Sequence, residues 1–85
     1  MIERTATVAA TSGLHARPAA VFVDAVEQSG LDVTITFDGE EADAGSLLDV
    51  ITLGVELGDE VTLATESDDE AALDQLVALL ERKDA

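Results

Sequence analysis

The sequence has no cysteine, tryptophan or tyrosine, and only one proline, one histidine, one lysine and two aromatic residues, Phe22 and Phe37, in its 85 positions. Without cysteine there is neither a disulfide nor a thiolate metal site. A chain this short buries only about 60–65% of the surface its unfolded form exposes. Alanine, valine and leucine must therefore build the core almost alone. No apolar run approaches the roughly 20 residues of a membrane span, so no membrane insertion is expected. Met1 to Val8 lacks the basic start and apolar stretch of a secretory signal, which makes a soluble, cytoplasmic protein the expectation. Cations are the last scarcity: 4 Lys and Arg stand against 19 Asp and Glu, a formal charge of −15. That balance excludes nucleic acid as a partner, which requires basic patches, and opposes binding to anionic membranes. High net charge can itself prevent collapse, but 47% hydrophobic residues and clear periodicity oppose disorder. The alternative is a folded protein from a salt-rich cytoplasm. There the Debye length falls to about 3 Å at 1 M salt and self-repulsion is screened.

What is present is a regular succession of short elements. Ile2, Arg4, Ala6 and Val8 alternate with Glu3, Thr5 and Thr7, the signature of a strand. A loop over Thr11 to Leu14 follows. Ala19, Phe22, Val23 and Val26 recur at the spacing of one helix face, and Gly30 suits a left-handed helix end. Val33, Ile35 and Phe37 predict a second strand. Asp38-Gly39 is a two-residue hairpin signal, leading into a short third strand near Glu40 to Ala44. Ser46 opens a short helix with Leu47, Leu48 and Ile51, closed by Gly54. Val61, Leu63 and Thr65 alternate as a fourth strand. Ser67 to Glu70 has capping-box spacing, and Leu73, Leu76, Val77 and Leu80 form a last helix face. Arg82 and Lys83 would complement its dipole in the final turn. Residues 1–85 thus read as one α+β domain in the order β-α-β-β-α-β-α. The arrangement is a two-layer open-faced sandwich with helices on one face of an antiparallel sheet. Periodicity leaves the strand order open.

His15 is the residue that composition makes conspicuous. Pro18 is tolerated in a first helical turn but not deeper, which starts the first helix near Ala16 and puts His15 at its N-cap. Histidine is a poor cap, so the amides of Ala16 and Arg17 are left to bind an anion at the positive end of the dipole. Arg17 adds a permanent cation. A free imidazole, largely neutral near pH 7, is a competent nucleophile. A phosphoryl group on the ring would be offset by those amides, at about 0.3–1 kcal/mol each, and by an Arg contact of roughly 1.5–3 kcal/mol. Such a sum holds a phosphoryl group without trapping it. The plain alternative is a surface histidine at a helix start. A metal site finds no second histidine or cysteine, and no cofactor is expected. No catalytic triad is specified.

Gly13-Leu14-His15-Ala16-Arg17-Pro18-Ala19 resembles the active-site signature of HPr, the histidine-containing phosphocarrier family of the phosphoenolpyruvate-dependent phosphotransferase system. A second stretch, GSLLDVITLG from Gly45 to Gly54, resembles the family's second signature. Separation, element order and length agree, so the resemblance covers the whole chain. It implies four antiparallel strands with three helices on one side. It implies that His15 accepts a phosphoryl group from enzyme I, on Nδ1, and donates it to a histidine of a sugar-specific acceptor component. Arg17 and the backbone of Ala16 and Arg17 would stabilise the group in transit. The chain is then a carrier and not a stand-alone catalyst, and a monomer is expected.

Other features of the resemblance are open to weighing. In some relatives the serine matching Ser46 is phosphorylated for regulation, yet Ser46-Leu47-Leu48-Asp49 also reads as a capping box, worth about 1 kcal/mol. Asp49 would repel an added phosphate. Leu47 and Leu48 are candidates for partner docking and Ile51 for the core. The sequence departs from the family where relatives carry docking-face lysines: it has Asp24, Glu27 and Asp49. This predicts equally acidic partners and association aided by salt. Competing readings are a carrier feeding a dihydroxyacetone kinase or a nitrogen-regulatory branch, a binding module controlled by Ser46 phosphorylation, and an acidic scaffold without transfer chemistry.

Overall fold

In a computed structural model, residues 1–11 and 13–83 are described; Ser12 of the expected loop lies outside them. The elements are β1 (Ile2–Thr7), α1 (Ala16–Ser29), β2 (Val33–Phe37), β3 (Glu40–Asp43), α2 (Leu47–Thr52), β4 (Glu60–Thr65) and α3 (Glu70–Leu80). The four strands form one antiparallel sheet in the order β1-β4-β2-β3. Only β2 and β3 are neighbours in both sequence and space. Asp38 and Gly39 between them both have positive φ, 53° and 81°, as a type I′ hairpin turn requires. β4 inserts between β1 and β2, so α1 and α2 are crossovers that return the chain across one face, and α3 follows the last strand on that same face.

Strand alternation decides that face. Ala6, Val61, Leu63, Val33 and Ile35 are buried beneath the helices, and Thr5, Thr62 and Thr36 stand in register on the other side. Phe22, Val23 and Val26 of α1 and Leu73, Leu76 and Leu80 of α3 close the same core. Phe22 is 1% exposed. α3 lies over β1 and β4, α2 over β3, and α1 packs against both other helices. Arg4 occupies a core-side position of the edge strand, opposite Leu63. Its guanidinium reaches out to α3, donating from Nε to Asp74 at 2.9 Å and from Nη2 to Glu70 at 2.7 Å. Two charged hydrogen bonds to α3 raise its pKa above the ordinary arginine value. The other edge, β3, carries Glu40, Glu41 and Asp43, charges that discourage strand addition.

Two local expectations are corrected. Asp69, not Ser67, caps α3, accepting from the Ala72 amide at 3.0 Å. Ser67 instead accepts from the Asp69 amide at 3.0 Å, which makes it part of the turn that presents the cap. Aspartate outcompetes the more distant serine because its oxygen reaches the third amide of the helix. Arg82 and Lys83 fall beyond Leu80, so the last turn of α3 contains no basic residue. In α2, Ile51 packs partly buried against the core, and Val50, which the sequence reading did not single out, is the deepest residue at 0% exposure. Four apolar residues in one short helix leave its rotation undetermined until it packs.

Candidate functional site

The first turn of α1 is built from a buried anchor followed by an exposed histidine. Leu14 is 1% exposed, and its amide donates to the Val55 carbonyl at 2.9 Å. This pins the backbone one residue before His15. Gly13 precedes it at φ +69°, and a Cβ there would lie 2.5 Å from the Val55 carbonyl oxygen and 2.8 Å from the Glu56 Cα. The motif glycine is therefore required twice, for left-handed backbone and for the close approach of the 55–56 segment.

His15 is the N-cap of α1 with extended backbone (φ −101°, ψ 169°) and no side-chain capping hydrogen bond. Its carbonyl accepts from the Ala19 amide at 3.1 Å. Pro18 has no amide proton, so the amides that open the helix are those of Ala16 and Arg17. Among the described residues neither has a hydrogen-bond acceptor. The helix start therefore carries an exposed imidazole, two backbone donors without an acceptor among the described residues, and an exposed Arg17 in the same turn. Pro18 and Ala19 are buried and hold this turn against the core.

The imidazole side chain is 46% exposed, so a macromolecular donor can reach it. Its Nε2 lies 3.8 Å from an Oε2 of Glu56. Sequence reasoning had no way to find Glu56, which sits far along the chain in a turn with no motif. Only the Leu14–Val55 bond brings it to the site. That turn is itself tied down: the Glu56 amide donates to Asp59 Oδ2 at 2.9 Å, Gly58 donates to the Val8 carbonyl at 2.8 Å, and Val8 donates back to the Asp59 carbonyl at 2.9 Å.

The remaining candidates gather on α2. Ser46 is its N-cap and accepts from the Asp49 amide at 3.5 Å, so its hydroxyl has a structural role. Its own amide donates to the Asp43 carbonyl at 3.0 Å, so Asp49 does not complete a reciprocal box. Leu47 and Leu48 are 41% and 74% exposed. Leu57 and Val21, which the sequence did not single out, are also large exposed apolar residues. Asp24, Glu27 and Asp49 face solvent. Among the described residues no cluster of three or more metal-ligating side chains occurs, and no helix is long and apolar enough to cross a membrane.

Comparison with known proteins agrees with this geometry. Residues 2–82 match the family described as PTS-HPr, the PTS HPr component phosphorylation site. The phosphocarrier protein HPr of Streptomyces coelicolor is 44% identical over 94% of this chain and 88% of its own length. The HPr-like protein Crh of Halalkalibacterium halodurans is 34% identical over 98% and 100%. The crystal structure of HPr from Bacillus anthracis matches with a TM-score of 0.87 at 35% identity, covering 93% of this chain and 95% of that one. A crystallised HPr dimer from Thermoanaerobacter tengcongensis matches with a TM-score of 0.71 at 38% identity, covering 95% and 94%. With a family match across nearly the whole chain and the same sheet-and-helix architecture, the chain belongs to the HPr family of phosphotransferase-system phosphocarriers.

Proposed function

We propose that this chain accepts a phosphoryl group from enzyme I on Nδ1 of His15 and passes it to a histidine of a sugar-specific acceptor component. The observation that supports this reading is His15 at the mouth of α1, exposed and making no side-chain capping bond, beside the amides of Ala16 and Arg17, which have no acceptor among the described residues. In the forward step the Nδ1 lone pair forms the N–P bond while the donor's bond to phosphorus breaks. In the onward step those electrons return to Nδ1. The two backbone donors, the positive helix end and Arg17 offset the charge of the phosphoryl group. The same reading makes the chain a carrier, not a stand-alone catalyst.

Leu47 and Leu48 serve as the docking residues in this proposal. The acidic rim formed by Asp24, Glu27 and Asp49 makes docking depend on apolar contact, with salt suppressing repulsion between acidic partners. We place the protein in a salt-rich cytoplasm, where a charge of −15 keeps it soluble and monomeric. Regulation through Ser46 is disfavoured by its role as the α2 cap and by the neighbouring Asp49 carboxylate.

The test is incubation with phosphoenolpyruvate and the cognate enzyme I in high salt. A mass gain of one phosphoryl group, acid-labile and lost in His15→Ala, is the expected result. An acid-stable modification on Ser46 alone would replace the carrier reading with a regulatory one, and no modification at all would leave only an acidic scaffold.

A further inference from the structure

The structure points to a role for one residue outside both signatures: we infer that Glu56 is a positioning residue for His15, holding the ring proton on Nε2 so that Nδ1 presents its lone pair to phosphorus. The functional meaning of this inference rests on the carrier reading; the placement of Glu56 does not. Its Oε2 stands 3.8 Å from Nε2, longer than a hydrogen bond, and such contacts often tighten only when the reacting complex forms. The carboxylate is an acceptor only, so it favours the tautomer that carries hydrogen on the nitrogen it faces.

The backbone on which Glu56 stands is held by two independent sets of contacts. On one side Leu14 donates to Val55, and Gly13 packs so closely on Val55 and Glu56 that no Cβ fits between them. On the other side the Glu56 amide is bound by Asp59, and the 58–59 segment is laced to Val8. The carboxylate thus stands on a backbone locked to the same turn that carries His15. The side chain itself is 69% exposed, so it is the backbone, and not the carboxylate, that these contacts fix.

The arrangement also conserves protons. When Nδ1 attacks phosphorus, the ring becomes a phosphoryl-imidazolium that still carries its Nε2 hydrogen. No proton has to leave, and the positive ring lies against the Glu56 carboxylate. When the N–P bond breaks on donation, its electron pair returns to Nδ1 and the neutral ring with the same Nε2 hydrogen is restored. The phosphoryl oxygens and the carboxylate lie on opposite sides of the ring, because the two nitrogens point away from one another.

The experiment is ¹⁵N NMR of the full chain, labelled at histidine, at a pH where the imidazole is neutral. His15 is the only histidine, so its two ring nitrogens report the tautomer ratio without assignment. Glu56→Ala is expected to lower the ratio of the Nε2–H to the Nδ1–H form about two- to fivefold, the scale of an exposed charged contact. Glu60→Ala, the same charge change on the adjacent strand, is expected to leave it in place. An unchanged ratio in Glu56→Ala, or an equal fall in both variants, would overturn the inference. Phosphoryl uptake from enzyme I is then timed in both variants, and Glu56→Ala alone should slow it several-fold. If the wild-type protein takes up no phosphoryl group on His15, the carrier reading fails while the tautomer ratio still decides the placement of the proton.

Discussion

Replacing Gly13 with alanine should be far more damaging than its size suggests, and the structure separates the two reasons. The first is conformational: at φ +69° an alanine costs about 1–2 kcal/mol relative to glycine. The second is spatial: the new methyl would lie 2.5 Å from the Val55 carbonyl oxygen and 2.8 Å from the Glu56 Cα. Both are backbone atoms that cannot rotate away, and the Val55 oxygen is already the acceptor of the Leu14 amide. Overpacking of this kind adds about 1–3 kcal/mol, so the total is roughly 2–5 kcal/mol. Gly30 is the internal control. Its φ is nearly the same, 73°, but nothing lies within 4 Å of a Cβ built there, so Gly30→Ala should cost only the conformational part, about 1–2 kcal/mol. Urea unfolding at constant high salt reads the difference. With m about 1–2 kcal/mol per M, a loss of about 3 kcal/mol moves the midpoint by roughly 1.5–3 M. Equal midpoints for the two variants would refute the claim that the 13–14 turn is clamped on the 55–56 segment.

Phe22→Ala removes the largest buried side chain and should destabilise the protein by about 3–5 kcal/mol; urea unfolding that shows less than 1 kcal/mol would mean the core collapses into the space. Ser46→Ala removes the α2 cap, whose bond to Asp49 is long at 3.5 Å. It should cost about 0.5–1 kcal/mol, with phosphoryl uptake on His15 retained. Arg4→Gln breaks the tie from β1 to Glu70 and Asp74 and should lower the thermal midpoint more at low salt than at high salt. A drop independent of salt would mean that Arg4 acts through packing of its stem. Raising potassium chloride from 0.1 M to 2 M should raise the wild-type midpoint, because the Debye length falls from about 10 Å to under about 3 Å around a charge of −15, and affinity for enzyme I should not decline over the same range.

Legibility in the sequence follows the range of the interaction that sets each feature. Alternation and helical spacing are local, and they place all seven elements, with every bound but the end of α3 within about two residues of where it occurs. The helix start at Ala16 is readable for the same reason: Pro18 has a single tolerated depth, and the missing cap of His15 is a property of histidine itself. Strand order is different. A period of two says which side of the sheet a residue faces and nothing about which strand lies beside it, so the insertion of β4 between β1 and β2 becomes visible only in the backbone hydrogen bonds. In α2 the depth of Val50 is missed similarly, because Leu47, Leu48, Val50 and Ile51 are all apolar and only packing sends Val50 fully inward, with Ile51 partly buried beside the core. Glu56 is the sharpest case. One acid among 19, in a turn without a motif, it has nothing to distinguish it from a solvated charge. What singles it out is the absence of a side chain at Gly13. The glycine carries the motif's most specific steric demand, and that demand is for the arrival of a segment the motif does not contain. A signature read as a site for phosphate is therefore also a site for the polypeptide around Glu56, and under the proposed carrier function the chemistry at His15 would draw on both.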